Sequence, residues 1–152
     1  MKDIDNVKII FTAAFAAVTG WLGVLAWPFY FLLLTNLIDY VTGIMAAVRR
    51  GEKVNSSIGI WGIAKKVCMW LLVLVGYIID FIITEMSHTV HIDIGVSNVF
   101  ALVVIFWLMA NELISILENI NDVGVDYPAP LMKILELVKD KTTDSIEIPK
   151  EE

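Results

Sequence analysis

The sequence predicts an all-α, polytopic membrane protein with four transmembrane helices and a short C-terminal amphipathic helix. Three observations carry that prediction. Of 152 residues, 58% are hydrophobic and only 18% charged, with a mean hydropathy of +0.76; a soluble domain is roughly 45–50% apolar and about 25% charged. Thirty consecutive residues, Ile9 to Ile38, carry no charge, and one spanning helix needs about 20. Two further apolar runs follow, at about 64–84 and 96–117. A bilayer accommodates that much apolar surface and a water-soluble fold does not.

The first uncharged run is too long for one span and short for two. Trp27-Pro28 is the predicted break, because proline lacks a backbone donor and drives the preceding residue out of helix. This gives spans at about 9–26 and 28–48, with Trp21 and Trp27 at interfacial positions. A polar loop follows, beginning Arg49-Arg50-Gly51-Glu52-Lys53 and running to Lys65-Lys66. The third span, about 64–84, ends near Asp80, and Glu85 to Gly95 forms the next loop. The fourth span, about 96–117, holds Asn111 and Glu112 in its last third. These elements make a transmembrane domain over 1–124.

Residues 125–152 form a cytoplasmic appendage. Tyr127-Pro128-Ala129-Pro130 breaks the chain. Leu131, Ile134, Leu135 and Val138 then recur at i, i+3, i+4 and i+7 opposite Lys133, Glu136, Lys139 and Asp140. That spacing is an amphipathic helix, suited to a membrane surface or a neighbouring subunit. Residues 142–152 read as a disordered tail.

Charge sets the orientation. The net charge of −6 arises from Glu112 onward, where ten acids meet four lysines; the preceding residues sum to zero. No basic stripe with interleaved aromatics occurs, so nucleic-acid binding is not expected. Arg49, Arg50, Lys53, Lys65 and Lys66 face one acid in their loop, whereas the Glu85–Gly95 loop has two acids and no Lys or Arg. The positive-inside rule places the basic loop in the cytoplasm and with it both termini. Signal-peptide cleavage is not expected: Asp3 and Asp5 cancel Lys2 and Lys8, and the apolar run continues past Ala14-Phe15-Ala16.

Enzyme chemistry finds no motif. The single cysteine, Cys68, forms no intrachain disulfide and reads as a small hydrophobe. Glu85-Met86-Ser87-His88 has the E-x-x-H spacing of di-iron bundles, but a second copy and further glutamates are missing. His88, His91 and Asp93 therefore read as a solvated loop. No H-E-x-x-H, phosphate-binding loop or nucleophile elbow occurs. No metal or cofactor is expected.

The informative residues are polar groups inside apolar helices. Asp39 lies about ten residues, or 15 Å, from either end of its span, where a carboxylate costs about 2.5–3.5 kcal/mol. It shares a stripe with Asn36, Gly43, Ala46/Ala47 and Arg50. Thr42, Asp80, Asn111 and Glu112 join Asn36 and Asp39 as candidates to line water. The structural alternative is a neutral Asp39 hydrogen-bonding between helices. Ala13, Ala17 and Gly20 on the first span, and Gly43 and Ala47 on the second, permit close helix approach.

Three ordered segments carry a family likeness. They are Leu37-Ile38-Asp39-Tyr40-Val41-Thr42-Gly43-Ile44, running on to Ala46-Ala47; then Asn55-Ser56-Ser57-Ile58-Gly59 with Gly62-Ile63-Ala64-Lys65-Lys66 and, later, Asp80; then Asn111-Glu112-Leu113-Ile114-Ser115-Ile116-Leu117-Glu118-Asn119 followed by Gly124 and Pro128. Over residues 30 to 138 the chain resembles the toxin-secretion and phage-lysis holins of the TcdE type. The resemblance implies a homo-oligomer in the bacterial host's cytoplasmic membrane. Its lesions would depolarise the membrane and release an endolysin, or in some relatives a large toxin, at a set time. After Met1 the next methionine is Met45, so the dual start of some holins is not expected and an antiholin would be a separate protein. On physics alone, a small channel or transporter using Asp39 as a proton or cation site, or an accessory subunit without a pore, fits the same features.

Overall fold

The computed structural model describes residues 2–52, 56–91 and 97–144. The elements are α1 (Lys2–Leu22), a 3-10 turn (Gly23–Leu25), α2 (Ala26–Arg49), α3 (Ser56–Val90), α4 (Val99–Val123) and α5 (Ala129–Asp144). No strand occurs among the described residues. Three stretches are long and apolar enough to cross a membrane: Ile4–Arg49, Gly59–Val90 and Val99–Val123.

The first of these stretches, 46 residues in all, breaks at Gly23–Leu25 and not at Trp27-Pro28. Gly23 adopts φ +54, a left-handed conformation that glycine tolerates best. Pro28 instead sits in the first turn of α2, where its missing N–H has no intrahelical partner to lose. The chain bends back at the glycine. Phe15 and Tyr30 stack with ring centroids 5.0 Å apart, whereas fifteen residues of straight helix would separate them by about 22 Å. The Thr19 and Tyr30 hydroxyls close the bend at 2.7 Å.

The helix bounds differ from the sequence expectation in several places. α3 begins at Ser56 and ends at Val90, so Lys65 and Lys66 are helical and not in a loop, as are Glu85 and His88. No glycine or proline interrupts residues 77–94, so the helix continues beyond its apolar core. Asp80 consequently lies ten residues before the end of α3. Asn111 and Glu112 fall in the middle of α4, not its last third. α5 runs through Asp144, past the predicted start of the tail. Lys53, Asn55, Asp93, Gly95 and residues 145–152 lie outside the described residues.

α4 is the hub, packing against α2, α3 and α5. The core comprises Leu25, Leu32, Val73, Ala101, Ile105 and Leu108. α3 approaches the start of α4 closely at Gly76, where a Cβ would stand 3.0 Å from Ala101 Cα. One turn on, Asp80 accepts hydrogen bonds from the backbone N–H groups of Phe100 (3.0 Å) and Ala101 (2.8 Å). These are amides that a helix N-terminus leaves unpaired, and Asp80 caps them from a neighbouring helix. At the other end Gly124, with φ +104, closes α4: its N–H donates to Asn121 O and that of Val125 to Ile120 O. Asp80→Ala is expected to lower stability by about 1–2 kcal/mol, the usual worth of a cap, read as an earlier unfolding midpoint in detergent. Asp80→Asn should recover about half, because its amide oxygen can still accept.

α1 contrasts with the others. Ile4, Val7, Ile9, Ile10 and Phe11 are each more than 60% exposed, and Ala13, Ala17 and Gly20 are exposed too. Nothing lies within 4 Å of a Cβ at Gly20. The small-residue face of α1 is therefore uncovered within one chain. Gly43 and Ala47 are half-buried instead, with Asn119 beside Gly43.

Candidate functional site

Asp39 is not a lone carboxylate. Lys66 of α3 donates to its Oδ2 at 2.5 Å, and Asn119 Nδ2 of α4 donates to its Oδ1 at 3.2 Å. The same Asn119 nitrogen reaches Thr42 Oγ1 at 3.3 Å. That hydroxyl in turn donates to the α2 carbonyls of Ile38 (2.9 Å) and Asp39 (3.1 Å). The Lys66 ammonium also donates to Glu112 Oε2. One ammonium therefore joins carboxylates from α2 and α4, with side-chain exposures of 10% for Lys66, 15% for Asp39 and 3% for Glu112.

The network sits deep in the bundle. Glu112 is eleven residues from the Asp80-capped Ala101 and ten from Asp122, about 15 Å along α4 in either direction. Asp122 marks the far end, where Arg50 donates to it and, at 2.7 Å, to Glu52 Oε1. Hydrogen bonding to Glu52 and Asp122 raises the Arg50 guanidinium above its ordinary value, and Arg50 holds Glu52 below the usual carboxylate range. The Glu52 contribution is present above the ordinary carboxylate pKa and fades as pH falls through the depressed one. Both side chains are about half exposed, so solvent screens that surface pair. The buried network is different: two carboxylates share one cation where burial weakens screening by solvent.

Other predicted residues fall outside the network. Asn36 is buried, and neither its side-chain nitrogen nor its oxygen has a partner among the described residues. Asp80 is used as the α4 cap. Asn111 is half-buried beside Glu112 without joining it. Arg49 and Lys65 are exposed, and Lys66, expected in a solvated loop, is buried. Lys66 and Asn119 are the participants that sequence reasoning missed. Their signal was spacing. Lys66, Val73 and Asp80 recur every seven residues and are all buried, and Asn119 lies seven residues after Glu112.

Apolar helices long enough to cross a bilayer, held by buried charge rather than by a large enclosed core, define a small multi-helical integral membrane protein. Sequence comparison is more specific: the chain belongs to the bacteriophage holin family, whose sequence model matches residues 16–140. An uncharacterized protein of Listeria innocua is 36% identical over 109 residues, 72% of this chain and 69% of that one. One from Halalkalibacterium halodurans is 34% identical over 111 residues, 71% and 75% of the two chains. A "probable holin" of Bacillus phage phi105 is 28% identical over 108 residues, 71% of each chain. No solved structure matches the chain.

Proposed function

We propose that this protein acts as a holin of four spans, with both termini cytoplasmic, whose subunits associate in the bacterial cytoplasmic membrane. The assembly opens lesions that depolarise the membrane and release an endolysin or another large protein at a set time. Family membership over residues 16–140 carries the reading. The fold supports it in two ways. The bend at Gly23 lets the 46-residue stretch cross twice, since it is more than twice the length of a 30 Å hydrocarbon core. The bare small-residue face of α1 offers a second copy a close approach that its own chain does not use. A channel or transporter with a free Asp39 cation site is less well supported, because Lys66 and Asn119 already occupy that carboxylate.

Induced expression in bacteria tests the proposal. Collapse of the membrane potential, loss of viability and release of a co-expressed endolysin are expected together; a cell that stays polarised and retains its endolysin refutes it. Single-cysteine labelling in a Cys68→Ser background should find position 56 protected and position 88 reactive from outside intact cells. Gly20→Leu isolates assembly, because the added side chain meets open space within the subunit. Weaker cross-linking and delayed lysis are expected, and wild-type behaviour in both would remove α1 from the interface.

A further inference from the structure

α2 and α3 each pack on α4 and leave a cleft of about 310 Å³ between them. Glycines 43, 59 and 62 line it together with Tyr40, Ile44 and Ala47, and it extends from Arg50 and Glu52 at one end to Asp39, Lys65 and Lys66 in the middle of the bundle. Tyr40 leans across it, its hydroxyl 3.2 Å from where a Cβ on Gly59 would stand. The space matches a small polar headgroup and is at the lower limit of ligand-site volumes.

Hydrogen-bond accounting shows what the cleft lacks. Asp39 is bonded by Lys66, and Glu52 by Arg50. Both carboxylates in the lining are therefore taken. The Lys65 ammonium and the Tyr40 hydroxyl remain, among the described residues, without an acceptor. An ammonium donates only, and a buried-edge hydroxyl without an acceptor leaves a second donor unused. The exposed Lys65 ammonium makes no ion pair, although its charge also acts on Glu112, and together with the Tyr40 hydroxyl it offers donors to an anionic oxygen.

We infer that this cleft binds the phosphate headgroup of an anionic phospholipid, through the Lys65 ammonium and the Tyr40 hydroxyl. A lipid suits the surroundings better than a free anion. Between its charged groups the cleft is lined by apolar surface, and Trp61 and Leu72, 75% and 43% exposed on the Lys65 side of α3, extend it as a track for acyl chains. Gly59 and Gly62 leave room for the Tyr40 ring to lie across the cleft, which sets its hydroxyl at the cleft wall. Lys65 reaches the phosphate by extending its aliphatic stem along the helix. Basic pockets between membrane helices hold anionic headgroups by this combination of charge and shape. The inference rests on reading α2 and α3 as membrane spans, and it is independent of lesion formation.

The full-length protein, purified in a mild detergent, provides the test by native mass spectrometry with added phosphatidylglycerol or phosphatidylcholine. Wild-type protein should retain one phosphatidylglycerol per chain and little phosphatidylcholine. Lys65→Ala and Tyr40→Phe should each reduce retention, about fivefold for the lysine. Lys65→Arg should restore it, which separates lost binding from lost folding, and Lys133→Ala on α5 should change nothing. Equal retention of the two lipids, undiminished retention by the Lys65→Ala/Tyr40→Phe double variant, or displacement by equimolar inorganic phosphate would each overturn the inference. Lysis timing does not enter the readout, so failure here leaves the holin proposal standing.

Discussion

Lys66→Met is expected to be the most damaging single substitution in the bundle, costing about 3–5 kcal/mol. Methionine fills the space of the lysine stem but leaves Asp39 and Glu112 facing one another without a cation. In a low-dielectric interior an unpaired buried charge is far more expensive than the original pair was favourable. The expected readouts are a large loss of helical protein surviving detergent extraction and a lower unfolding midpoint for what survives. The compensating variant carries Lys66→Met with Asp39→Asn and Glu112→Gln. With no charge left in this network, it should recover most of the stability. If Lys66→Met alone unfolds at the wild-type midpoint, the ammonium is not holding these helices together. If the triple variant is no better than the single one, the lysine acts through its packing and not its charge.

Asp39→Asn should behave in the opposite way. It removes one negative charge from a site with two carboxylates and one ammonium, leaving Lys66 and Glu112 as a balanced pair. The asparagine oxygen can still accept from Asn119, so the tie between α2 and α4 survives. Insertion and unfolding midpoint should remain within about 1 kcal/mol of wild type, the net worth of one hydrogen bond. The lysis clock should nevertheless move, because the charge that the membrane field can act on is gone; a full elementary charge crossing the membrane feels about 2.3 kcal/mol per 100 mV. Asp39→Leu loses the hydrogen bonds as well and should weaken the bundle. An Asn variant that lyses on the wild-type schedule would reduce Asp39 to a structural bonding group.

The contrast between these two substitutions follows from a network that was half legible in the sequence. Asp39 and Glu112 stood out because carboxylates inside apolar runs are costly, and cost marks them whatever the fold. Lys66 did not stand out. It lay beside Lys65, Arg50 and Arg49 in a segment whose charge suited a cytoplasmic loop, and orientation accounted for it without further explanation. Only the packing of α3 on α4 distinguishes the buried Lys66 from the exposed Lys65, one residue and about 100° of helical turn away. Asn119 was hidden similarly, as one polar residue among several at the end of a helix.

The break in the first apolar stretch teaches the same lesson in the backbone. Trp27-Pro28 was the stronger local signal, yet proline in a helix's first turn loses nothing, and the chain turned at Gly23. Local propensity named the region, and the stacking of Phe15 on Tyr30 and the bond between Thr19 and Tyr30 accompany the turn that formed.

By itself the sequence determined that this chain is helical and apolar enough for a bilayer, and its ordered motifs pointed to the holin family. Those properties depend on composition and on residues near one another along the chain. The tertiary structure decided which polar groups meet: Lys66 with Asp39 and Glu112, Asp80 with the first amides of α4, and the donors left over in the α2–α3 cleft. These pairings join residues 20 to 46 positions apart. The physical reason is that helix rotation and register about α4 select which face of each helix is buried, a choice that the seven-residue spacing of Lys66, Val73 and Asp80 marks but does not pair with a partner.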